Sequence, residues 1–289
     1  MANLVEIRLD RPIFFPGDLV TGRVEAVPID GETLNVRRVE ISVNGLVCSE
    51  SKDAVHLMRK LVIFPTEKNQ FPADTHWNFE FPLPSHCPPT FHSEPVQTTY
   101  FIRTKLIIPF SDPKNVSSEF TVAPWFDFTQ IPGVDLPVSG FVETKVGWLK
   151  SRGIQKLSAT IPSSGYSHGD TIHVSARFEN ESSRVVAKAS ATFFRLVSHK
   201  ETFFGMQTSV ATVEKKKEST MIHPGTFQNF DWSFTVPPLT HTIRNSSLLA
   251  VEYFIAVRIG NARVKLPFVI GTRPEMPKVY HQPSVSTRL

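Results

Sequence analysis

The sequence predicts an all-β chain made of two tandem sandwiches of like topology joined by a short hinge, and three observations predict it. Apolar and polar residues alternate in short runs bounded by turn residues, the period-2 pattern of strands with one face in a core and one in water. The pattern then repeats. Gly17-Asp18 before Val20, Gly22, Val24 and Ala26 returns 152 positions later as Gly169-Asp170 before Ile172, Val174, Ala176 and Phe178; Phe79, Phe81, Pro84 and Tyr100-Phe101-Ile102 return at an offset of 153 as Trp232, Phe234, Pro237 and Tyr253-Phe254-Ile255. A near-constant offset over so many residues implies duplicated domains of about the usual size for one core. No segment sustains a 3.6-residue apolar period, so any helix is expected to be short.

In order along the chain, Val5, Ile7 and Leu9 alternate with Glu6, Arg8 and Asp10 as a first strand. Pro16-Gly17-Asp18 turns into the second, and Pro28 to Glu32 makes another turn. Val39, Ile41 and Val43 mark a third strand, and Arg59 to Phe64 a short fourth. Trp77, Phe79 and Phe81 form another, leading into Pro82, Pro84, Pro88 and Pro89, which must lie outside any central strand. Strands resume at Thr98 to Ile108 and Glu119 to Val122. Ala123 to Pro137 has three prolines and no alternation. The expected organisation is a first sandwich at 1–125, a hinge at 126–138, a second sandwich at 139–273 and a flexible tail at 274–289.

With 40% hydrophobic, 11% aromatic and 20% charged residues, the chain can fill two cores and cover them. Its start, MANLVEIRLDRP, is charged by the sixth residue, and no stretch approaches the roughly 18 apolar residues of a membrane span. A cytoplasmic protein is expected, peripheral at the plasma membrane or endosomes. Two cysteines, Cys48 and Cys87, make neither a disulfide framework nor a zinc site, and the triplets beginning at Asn115, Asn180 and Asn245 read as turn chemistry rather than glycosylation. No HExxH pair, Gly-x-Ser-x-Gly elbow or Gly-rich phosphate loop is present, and His86, Cys87 and His92 lack a convincing fourth ligand. No enzyme activity, metal or cofactor is expected.

Charge divides unevenly, with net −4 over residues 1–130 and net +8 over 131–289. Lys215-Lys216-Lys217, between Glu214 and Glu218, reads as a basic loop able to meet acidic lipid headgroups, whereas no nucleic-acid motif accompanies the charge. The terminal Ser286-Thr287-Arg288-Leu289 has the form of a PDZ ligand, through Thr287 and Leu289.

Several of these segments together are specific. PGD before a strand, F-x-F-x-L-P closing at Pro84, YFIRTKL at Tyr100, GYSHGDTIHVSARFENESSR, and VEYFIAVRI followed by LPFVIGT at Leu266 resemble the arrestin domain-containing proteins, the α-arrestins. The resemblance covers nearly the whole chain and implies two arrestin-like, immunoglobulin-like sandwiches. It also implies a trafficking adaptor that recognises cytoplasmic tails of receptors or transporters and recruits ubiquitin ligases or sorting machinery, with Arg8, Arg11 and Arg103 as the cargo-phosphate contacts. The other reading it implies is a structural scaffold, like the retromer subunit that shares the fold. The family's Pro-Pro-x-Tyr motif does not carry over: Pro88-Pro89-Thr90-Phe91 and Pro237-Pro238-Leu239-Thr240 lack the tyrosine needed for direct WW-domain binding. Residues 131–289 contain no cysteine, so the thioredoxin binding of one family member is not expected.

Overall fold

The computed structural model describes residues 5–27, 34–49, 53–64, 70–72, 75–94, 96–124, 126–147, 153–201, 205–244, 246 and 248–273. The Pro28–Glu32 turn, Asn245 and the tail with Thr287 and Leu289 lie outside them. The first sandwich has one layer of β1 (Val5–Leu9), β3 (Leu19–Ala26) and β8 (His76–Pro82), in the order β1-β3-β8. Its facing layer runs β2 (Ile13–Phe14), β11 (Lys114–Val122), β10 (Val96–Ile107), β5 (Arg38–Ser49) and β6 (Asp53–Ile63), with β9 (Phe91–Ser93) also on β10. A small ribbon pairs β4 (Leu34–Asn35) with β7 (Gln70–Phe71).

The second sandwich repeats this plan. One layer is β12 (Val138–Lys145), β13 (Gly153–Ile161), β15 (Thr171–Ser182) and β18 (Thr226–Thr235), in that order. The other runs β14 (Gly165–Tyr166), β20 (Ala262–Ile270), β19 (Leu249–Ile259), β16 (Val186–Glu201) and β17 (Gly205–Ile222). β2 on β11 and β14 on β20 are parallel, and every other pairing among the strands is antiparallel.

The duplication extends to individual hydrogen bonds. Gly17 and Gly169 take φ of 90° and 87°, a left-handed turn that a Cβ would disfavour. After each, an aspartate side chain accepts the backbone N–H three residues back: Asp18 from Phe15 at 2.8 Å, Asp170 from Ser167 at 2.7 Å. Val20 and Ile172 then enter equivalent cores, both fully buried. The Tyr100 hydroxyl donates to the Pro88 carbonyl, and its counterpart Tyr253 donates to that of Thr240. Burial pushes both phenols far above their ordinary pKa, so each stays a donor.

Alternation sets each core. Val20, Val24, Ile41, Val43, Phe79, Phe81 and Ile102 meet in the first, and Ile172, Val174, Phe178, Trp232, Phe234 and Ile255 in the second. In the second, the Phe193 ring lies edge-on to Phe234, Tyr253 and Phe268, with centroids 6.4, 6.1 and 5.3 Å away, an arrangement worth more than its area alone. Val47, Phe91 and Val96 of the first sandwich continue this second core, and Arg195 donates to Ser93 Oγ across the junction at 2.9 Å.

The segment read as a hinge is anchored to the second sandwich. It forms a 3-10 turn at Phe128–Gln130, capped by Asp127, and Phe128 and Val134 are buried against Val269. The Phe126 carbonyl accepts from Thr272 N–H at 2.8 Å. Gly165 permits the approach, because a Cβ there would stand 2.4 Å from Val134 Cγ2 and 2.7 Å from Phe128 Cδ2. The strands read at Arg59–Phe64 and Glu119–Val122 are longer than expected, beginning at Asp53 and Lys114.

Candidate functional site

Lys215, Lys216 and Lys217 do not form a loop. They lie inside β17, an 18-residue strand at the edge of its sheet, paired with Thr192, Ala191 and Ser190 of β16. Alternation therefore separates them. Lys216 pairs with a fully buried alanine and turns over the sandwich edge, its ammonium 3.4 Å from Glu214 and 5.4 Å from the centre of the Phe234 ring. Lys215 and Lys217 point the other way, to the outer face of the sheet.

That outer face collects cations from four strands. Residues in direct register share a face. Lys217 stands opposite Ser190, Ser190 opposite Arg258, and Arg258 opposite Arg263, so one row across β17, β16, β19 and β20 carries three cations. The next row is Lys215, Thr192, Ala256 and Lys265. Lys188, two residues before Ser190 on β16, adds a sixth. All six are exposed, and Lys265 also covers apolar surface, its ammonium 4.1 Å from the centre of the Phe254 ring. The rows span about 15 Å at ordinary strand spacing. At their end a concavity is lined by Arg184, Lys188, Lys215, Lys217 and Arg258 together with Glu218.

Local chemistry holds this end in place. The Asn180 side chain, fully buried, donates to the carbonyls of Ile222 at 3.0 Å and Arg184 at 2.7 Å and accepts from Ser182 Oγ at 2.6 Å. The reversal carrying Arg184 is thereby fixed, and the buried amide acts as a structural hydrogen-bonding group. Gln155 Oε1 accepts from Asn261 N–H at 2.9 Å, bracing the Gly260-Asn261 turn that sets Arg258 against Arg263.

The three arginines of the first sandwich do not converge. Arg8 is on the outer face of the β1-β3-β8 layer, ion-paired to Glu6 and Glu25 at 3.1 and 2.9 Å. Arg11 binds Asp18 at 2.6 Å and lies over the Phe14 ring. Arg103 is on the outer face of the opposite layer, stacked on Phe101 at 4.9 Å, with the whole core between it and Arg8. One phosphorylated segment cannot be held by all three at one place.

Among the described residues, no group of three or more His, Cys, Asp or Glu side chains is arranged to hold a metal. No described helix is long and apolar enough to cross a membrane. At the domain junction His241 lies 5.2 Å from His168, ring centre to centre. Burial, and then the neighbouring His168, hold the His241 pKa below the usual imidazole value, against a hydrogen bond with Pro124 that raises it.

The sequence model for the arrestin (or S-antigen) C-terminal domain matches residues 151–275, and that for the arrestin N-terminal domain matches 58–129, together more than half of the chain. The first match covers the second sandwich from β13 onward, and the second covers the later part of the first sandwich, from within β6 through β11. The chain belongs to the α-arrestin family. Arrestin domain-containing protein 4 of Mus musculus is 30% identical to it over 223 residues, covering 72% of this chain and 49% of that protein. Its Homo sapiens namesake is 28% identical over 230 residues, covering 74% and 51%. Arrestin domain-containing protein 1 of Mus musculus is 24% identical over 285 residues, covering 93% and 64%. This α-arrestin thus spans about half the length of the first two relatives and under two thirds of the third.

Lys215 and Lys217 were legible as a charge run, but Lys188, Arg258, Arg263 and Lys265 were missed. A signal for three of them was present. Gly260-Asn261 between alternating runs is a two-residue hairpin turn, and such a turn places Arg258 opposite Arg263 with Lys265 two residues further along the same face.

Proposed function

We propose that this α-arrestin is a non-enzymatic adaptor for membrane-protein trafficking, and that it meets the cytoplasmic leaflet through the outer face of its second sandwich. The carrying observation is the row Lys217, Arg258, Arg263, flanked by Lys188, Lys215 and Lys265 on one sheet face. Cations spread over a rigid sheet suit a planar array of phosphates. The lysines supply point charges, and the arginine forks can bind phosphate oxygens bidentately. Near an anionic bilayer each cation contributes about 1 kcal/mol, so six together support reversible binding that is lost as salt screens it.

Receptor and transporter tails, endosomal sorting factors and ubiquitin ligases are the partners this reading assigns. The direct test is sedimentation with vesicles of phosphatidylcholine containing phosphatidylserine, comparing wild type with K217E/R258E/R263E. The reversal should weaken binding by a hundredfold or more at low salt, from about 1 kcal/mol for each cation lost. Unchanged sedimentation of the triple variant would refute the membrane role of this face. Proximity labelling in cells tests the adaptor role itself, through enrichment of transporters and sorting components.

A further inference from the structure

The far end of the first sandwich, away from the domain junction, presents two exposed aromatic residues. Phe110, at the tip of the β10–β11 connection, is completely exposed, and it is the one described non-glycine residue with positive φ, at 57°. It follows Pro109, and proline followed by a left-handed residue is the order of a type II turn, where glycine or asparagine ordinarily stands. A bulky side chain in that region is a steric outlier. The molecule thus accepts a backbone cost and an exposed ring at one place. An outlier of this kind points to function rather than to packing.

Phe64 emerges at the same end. It follows Ile63, whose register partner is Val39, and so comes out beside Arg38, which pairs with Ile107 on the other side. Phe64 is 68% exposed. Basic groups surround the two rings: the Arg37 guanidinium lies 5.7 Å from the Phe110 ring centre, its backbone N–H donates to Ile107 at 2.7 Å, and Lys114 begins β11. Among the described residues the acids named at this end are Glu40, already held between Arg38 and Lys60 at 2.8 and 3.0 Å, and Asp112 on the loop itself.

We propose that Phe110 and Phe64 form an insertion tip that enters the interface of an anionic lipid bilayer, with Arg37 and Lys114 resting on the headgroups. A lipid surface fits better than a protein pocket because the Phe110 ring projects completely exposed from a turn, with Phe64 exposed at the strand end beside it. A bilayer interface accepts an isolated projecting ring without a complementary cavity, and the basic collar matches its negative charge. This contact is separate from the cationic rows, which lie on the other domain.

The test rests on Phe110→Gly, which removes the ring and relieves the positive φ together. Its thermal unfolding should occur no lower than that of wild type, while its binding to phosphatidylserine-containing vesicles should fall about tenfold, the scale of losing one inserted aromatic side chain. Phe64→Ser should lower binding in the same direction. A Phe110→Trp variant, with wild-type fluorescence as the blank, should be quenched by lipids brominated in their chains. Full binding by Phe110→Gly, or an added indole signal reached only by an aqueous quencher, would overturn the proposal and leave the tip a protein-docking feature. The K217E/R258E/R263E variant separates the two membrane contacts. If that variant fails to bind while Phe110→Gly binds normally, the insertion tip falls and the cationic face stands. If Phe110→Gly fails to bind while the charge-reversed variant binds normally, the insertion tip stands and the cationic face falls.

Discussion

Asn180→Ala should cost the second sandwich about 3 kcal/mol. The wild-type amide makes two donor bonds, to Ile222 and Arg184 carbonyls, and accepts from the Ser182 hydroxyl. Alanine leaves these three without that partner, and also the Ser182 N–H, which the same oxygen accepts at 3.3 Å. Arg184 is exposed, so its carbonyl can recruit water, whereas Ser182 and Ile222 are buried and water does not replace the bonds lost to them, at about 1–3 kcal/mol each, although the Ser182 hydroxyl keeps a longer contact to the Arg184 carbonyl at 3.5 Å. For a domain of this size such a loss lowers the unfolding temperature by about 10 °C, read by scanning calorimetry on the full chain. Asn180→Asp is the sharper probe: it keeps the acceptor for Ser182 but sets a carboxylate against two carbonyls, so it should be at least as damaging. An unfolding temperature within about 2 °C of wild type for either variant would refute the assignment of this side chain as the tie that holds the reversal.

Val20→Asp and Ile172→Asp each bury an unpaired charge at equivalent, fully buried positions. Each should cost several kcal/mol of a domain stability of about 5–15 kcal/mol, and denaturant unfolding should report matching losses in the two domains. His241 predicts a pH effect. Its folded pKa lies below the unfolded value, so the unfolded chain binds more protons as pH falls below about 6.5, and stability should decline from there downward. His241→Gln should flatten that decline in thermal melts between pH 7 and 5, and an unchanged slope would count against the burial argument.

Much of the fold was fixed locally and could be read without coordinates. Period-2 alternation placed Val20, Val24, Ile172 and Val174 on inner faces, and the recurring Gly-Asp positions marked equivalent turns, because these depend on residues near one another in the chain. The two-residue strands β2 and β14 escaped detection because two residues carry no period. Only long-range pairing decided the site. Nothing within Lys215-Lys216-Lys217 says that it belongs to a strand, that Lys216 turns away, or that Lys217 shares a row with Arg258 some forty residues later. The same holds for Arg8 and Arg103, whose equal chemistry gave no sign that a hydrophobic core lies between them. A strand's own pattern determines which residues face outward together. Which strands are neighbours, and hence whose outward charges add, is set by backbone pairing between segments distant in sequence, and that only the tertiary structure decided.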